Sequence, residues 1–122
     1  MIETEYRPLH PDERAILVWL LTNGPDDAKE FLPQLEFLQA RRYCKCGCPS
    51  IEFSLPLEVS QAGTPPISLR TNVLGKSGNY DVGVMLVAGY GVLSELELYT
   101  FEDRVEPFDL PTIDSLKYEQ AK

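Results

Sequence analysis

Apolar and polar positions follow a helical period over the first third of the chain and a period of two after about residue 50. Pro11, Asp12 and Glu13 open a first helix, because proline is pre-organised for the first helical position and carboxylates complement the helix N-terminal dipole. His10 then stands at the N-cap. The pattern predicts a helix over 11–22, ended by Asn23-Gly24-Pro25. Its run AILVWLL has no clean apolar stripe, so the helix should be covered on more than one side, with Ile16, Trp19 and Leu20 toward the core.

A second helix is predicted over 26–42, with Ala28, Phe31, Leu32, Leu35 and Leu38 at helical spacing and Arg41 and Arg42 at its C-terminal end. Pro33 lacks a backbone donor and disfavours helical geometry at Leu32, which predicts a kink or a split there.

Beyond residue 50 the alternation is that of strands. Ile51, Phe53, Leu55, Leu57 and Val59 alternate with Glu52, Ser54, Pro56, Glu58 and Ser60, predicting a half-buried strand over 51–59 with an edge or bulge at Pro56. Ile67, Leu69, Thr71 and Val73 share one face of a strand over 67–74. The segment 81–89 is apolar on both faces and reads as a central strand. A last strand over 92–101 places Leu96 and Leu98 inward and Glu95, Glu97 and Tyr99 outward. The expected fold is α+β: two N-terminal helices on one face of a roughly four-stranded antiparallel meander, followed by an irregular tail over 103–122. At 122 residues this is one domain, 1–122.

Composition narrows the partners. A formal net charge of −8 opposes nucleic-acid binding, which needs a Lys/Arg surplus on one face, and fits a basic protein. The start MIETEYRPLHPDER has no signal-peptide apolar core, and the run from Ala15 to Leu21 is too short to span a bilayer, so a cytoplasmic location away from membranes is expected.

The three cysteines of the chain lie at alternate positions in Tyr43-Cys44-Lys45-Cys46-Gly47-Cys48-Pro49. Cysteines at even positions and a following strand that buries odd ones require the inward face to switch, and Gly47, Cys48 and Pro49 are where a turn or bulge would do it. One or two cysteines then serve as small buried hydrophobes at the helix-to-sheet junction. The alternative is a metal site at Cys44, Cys46 and Cys48. Zinc–sulfur bonds of about 2.3 Å put tetrahedral sulfurs about 3.8 Å apart, whereas alternate strand residues lie about 7 Å apart, so the backbone would have to fold around the ion. Three thiolates suit Cu(I); zinc would need His10, a carboxylate or a second subunit as fourth ligand. For a reactive thiol, Arg41, Arg42 and Lys45 supply positive charge, but the expected helix C-terminus beside them opposes a thiolate.

Other catalytic patterns are missing. GKSGN lacks the spacing of a phosphate-binding loop, and Glu95, Glu97 and Glu102 read as a solvated face without the desolvated pocket that a general acid needs. No catalytic residue and no further cofactor is expected.

The order of PDERAIL, a segment ending in RR, CKCGCPSI and the closing strand GVLSELELY with a Pro-rich acidic tail resembles a family of small bacterial proteins of unknown function. In these a Cys-x-Cys-Gly-Cys-Pro segment links paired helices to an antiparallel sheet. The chain is also similar in size and charge to toxin-neutralising immunity proteins. That analogy, with the net charge and the outward Glu-x-Glu-x-Tyr row, implies a non-enzymatic interaction module presenting Glu95, Glu97, Tyr99 and Glu102 to a basic protein.

Overall fold

Helix α1 spans Pro11–Asn23 in the computed structural model, which describes residues 2–43, 48–56, 69–89, 91–101 and 108–118. His10 is its N-cap. The Glu13 carboxylate reaches back to accept the His10 backbone N–H at 2.8 Å, closing one orphan donor of the first turn. Arg7 grips the same carboxylate with Nη1 at 2.7 Å and Nη2 at 2.9 Å, and its Nε donates to Glu3 at 3.0 Å. Glu3 in turn accepts the Arg42 backbone N–H at 2.7 Å. This chain of bonds ties the helix start to the sheet edge.

Ile16, Leu17, Leu20 and Leu21 enter the core. Trp19 packs against the core as expected, though only half-buried, and stacks on Tyr118, with centroids 5.5 Å apart and planes 13° from parallel.

The second helix expected over 26–42 is not formed. Asp26–Glu36 is instead a run of 3₁₀ turns, and Gln39–Arg42 is a strand, β2. Pro33 inside the run explains the change, because it has no N–H for an α-helical bond and its ring crowds the preceding turn. Ala28, Phe31 and Leu35 still point inward from the tighter turns. Beyond them Leu38 and Ala40 are buried on either side of exposed Gln39, a period of two that suits a strand.

The four-stranded meander is likewise replaced. Among the described residues there is one eight-stranded antiparallel sheet, with β1 (Arg7–Pro8), β2, β3 (Ile51–Ser54), β4 (Leu69–Arg70), β5 (Val73–Ser77), β6 (Tyr80–Gly89), β7 (Val92–Thr100) and β8 (Lys117–Tyr118). Their order is β1-β2-β3-β7-β6-β5-β8, with β4 also on β6. Sequential pairing holds only for β5-β6-β7 and β1-β2-β3. The two groups join where β3 pairs with β7, Ile51 opposite Leu96 and Glu52 opposite Glu95. The strand expected over 51–59 is β3, with 57–60 outside the described residues, and the one expected over 67–74 is divided into β4 and β5.

The tail is not irregular throughout. Residues 108–118 lie against β5 and α1: the Lys76 N–H donates to Ser115 Oγ at 2.8 Å, Leu116 is buried, and β8 pairs with β5. Tyr118 Oη donates to the Leu20 carbonyl at 2.5 Å. Burial pushes this phenol up to about 12.

Candidate functional site

The outer face of the sheet is set by a bulge in β7. Val87 of β6 pairs with Glu95 and Ala88 with Leu93, so Ser94 is an extra residue, and its hydroxyl donates to the Val87 carbonyl at 3.1 Å. The bulge lets Leu93 and Leu96, three residues apart, both face inward at 1% and 0% exposure. From there the alternation sends Glu95, Glu97 and Tyr99 to the outer face and Leu98 to the core.

Arg41, Glu52, Glu95, Val87 and Arg70 are successive cross-strand partners on that face. Like charges directly opposite one another destabilise a ladder, so the Glu52–Glu95 pair needs relief. Arg41 supplies it for Glu52 through an Nε–Oε1 contact of 2.5 Å, and its guanidinium lies 4.5 Å from the centre of the Tyr6 ring. Tyr43 supplies it for Glu95 by donating its hydroxyl to Oε2 at 2.9 Å. Desolvation, then the hydrogen bond and charge of Glu95, push the Tyr43 phenol far above its ordinary value, so it remains a neutral donor. Among the described residues neither Glu95 nor Glu97 forms an ion pair.

Tyr99 lies opposite Gly83, and its ring occupies the space a side chain there would take. It meets Phe101 edge-on at 5.6 Å, and both rings are exposed, at 37% and 58%. Glu95, Glu97 and Tyr99 thus share one face as expected from the alternation, while Glu102 lies outside the described residues. Glu52 falls on the polar side that the alternation of 51–59 gave it, whereas Arg41 and Tyr43 were missed as parts of this face. Residues 39–43 alternate only weakly in polarity, and the two arginines resemble a helix end.

Of the cysteines, Cys44 and Cys46 lie outside the described residues. Cys48 is buried at 7% exposure, and its thiol donates to Ser50 Oγ at 3.4 Å. Ser50 Oγ in turn accepts the Leu98 N–H at 2.8 Å and donates to the Leu98 carbonyl at 3.1 Å, stitching the segment before β3 to β7. Among the described residues no three metal-binding side chains converge.

Away from that face, a concavity of about 510 Å³ lies at the start of α1 between His10, Asp12, Arg42 and Asp109. Its buried carboxylate, Glu13, already accepts from Arg7 and from the His10 backbone and serves as a structural anion. No helix among the described residues is long and apolar enough to cross a membrane. Comparison with protein-family models, curated proteins and solved structures finds no match to the chain.

Proposed function

We propose that this protein is a non-enzymatic interaction module that receives a basic protein on the outer face of its sheet, in the manner of a neutralising immunity protein. The observation that carries the reading is the pair Glu95 and Glu97, held outward after the Ser94 bulge with no ion-pair partner among the described residues. Arg41 is committed to Glu52 and Tyr43 to one oxygen of Glu95, so the remaining carboxylate oxygens are the ones open to an incoming lysine or arginine. Tyr99 and, just past the end of β7, Phe101 meet edge-on and offer exposed aromatic surface for the stem of such a side chain.

The net charge of −8 would speed encounter with a positive partner, and a rigid sheet holds the carboxylates at fixed spacing. The test is titration calorimetry with a basic protein that is co-encoded or co-purifies with this chain, comparing wild type with Glu95→Lys/Glu97→Lys. Reversal should weaken binding at least tenfold, about 1.4 kcal/mol. Binding that ignores the reversal, or no basic partner at all, would sink the proposal.

A further inference from the structure

The end of β2 leaves a cation on the helix side of the sheet. Strand alternation puts Arg42 on the same side as Ala40, and its cross-strand partner is Ile51; both of these residues are fully buried. Glu3 takes the Arg42 backbone N–H, but the side chain is half-buried and its guanidinium has no hydrogen bond or ion pair among the described residues. A charge drawn partly out of water without a partner carries a desolvation cost that only water or a ligand can relieve.

Arg42 lines the cavity of about 510 Å³ at the start of α1, a volume within the range of small-molecule sites, roughly 300–1,000 Å³. From a different part of the chain, the segment 108–118, Asp109 lines the same cavity, and its carboxylate is likewise unpaired among the described residues. Opposite charges thus share one cavity without meeting each other. The remaining ionisable groups are engaged elsewhere: Glu13 holds Arg7, one oxygen of Asp12 accepts the Glu13 N–H at 2.9 Å, and His10 turns its Nδ1 to within 3.8 Å of Glu13. Ile16, Leu110 and Pro111 add apolar wall.

We propose that this cavity binds a small zwitterion with an aliphatic body, the chemistry shared by a free amino acid and a short peptide, with its carboxylate on Arg42 and its ammonium on Asp109. The lining charges select this class. A simple anion would satisfy Arg42 but approach Asp109 and Asp12, and a simple cation would satisfy the carboxylates but leave Arg42 stranded. A molecule that carries both charges relieves both groups, and a planar guanidinium takes a carboxylate through two parallel hydrogen bonds. The cavity lies on the helix side of the sheet, so this site and the outer face bearing Glu95 and Glu97 stand or fall separately.

Two-dimensional NMR of the full chain, titrated with each standard amino acid and with leucyl-leucine, tests the proposal. The amide signals of Arg42, Leu110 and Ile113 should shift and saturate, with a Kd on the order of 1 mM or tighter for the best aliphatic probe. Saturation by an amino acid assigns the site to free amino acids, and saturation by leucyl-leucine alone assigns it to peptide termini. N-acetylation and C-amidation of that probe should each weaken binding at least tenfold. Arg42→Gln and, independently, Asp109→Asn should do the same with the fold retained. Each variant should also lose one discrimination: Asp109→Asn no longer distinguishes the probe from its N-acetyl form, and Arg42→Gln no longer distinguishes it from its amide. No saturable shift with any probe at about 10 mM overturns the proposal. So does an acetylated or amidated probe bound as tightly as its parent, or a preference for the unmodified probe that persists in both variants.

Discussion

On the inner face of the sheet Ile51, Val84, Leu86 and Leu96 are fully enclosed, while one residue away along the same strands Glu52, Met85, Val87 and Glu95 remain half-open on the outer face. The inner face is held by area removed from water, which is non-directional and tolerates rearrangement as long as volume is kept. The outer face is held by pairings with direction: Arg41 to Glu52, Tyr43 to Glu95, Tyr99 over Gly83. The first kind of contact sets whether the chain folds. The second sets which groups stay available afterwards, and it leaves Glu97 and one side of Glu95 uncommitted.

The contrast is sharpest when each face is damaged in turn. Phe31→Ala removes a fully buried ring from beneath the inner face and should cost about 3–5 kcal/mol, read as a fall of the thermal midpoint by roughly 10–20 °C. Glu13→Gln keeps the shape of a buried side chain but leaves the Arg7 guanidinium without its bidentate partner; about 3 kcal/mol is expected by chemical denaturation. Had the two faces been equivalent, Glu97→Lys on the outside would cost as much. It should instead change stability by less than about 0.5 kcal/mol.

Tyr118→Phe is intermediate. It deletes the bond to the Leu20 carbonyl but keeps the stack on Trp19, and about 1 kcal/mol is expected. It also has a pH signature. The folded phenol is raised above its ordinary value of 10.0 to about 12, so in the window between the two the unfolded chain binds fewer protons than the folded one. The stabilisation is complete below pH 10 and is lost as pH rises toward 12. Denaturation series across that window should show the loss in wild type and a shallower loss in Tyr118→Phe, with Tyr43 contributing in the same direction.

Helix α1 and the long strands β6 and β7 were legible because their signals are local: Pro-Asp-Glu at a helix start, and an apolar run or an alternation bounded by glycine. The alternation also placed Glu95, Glu97 and Tyr99 on one face. The segment after Pro25 was not legible as what it is. Its apolar spacing satisfies an α-helix and a chain of 3₁₀ turns equally, since both return a side chain to the same side every three or four residues, and Pro33 decides between them by removing one donor.

What the sequence determined by itself is therefore the periodicity of each segment and the side on which its apolar residues fall, because these depend on neighbours along the chain. What only the tertiary structure decided is which strands meet. The pairing of β3 with β7, the return of Tyr118 to Leu20 across 98 positions, and the bond from Tyr43 to Glu95 across 52 are contacts between residues far apart in sequence. Their selection depends on what the whole core can bury at once and on every backbone donor finding an acceptor, and no window of neighbouring residues contains that information.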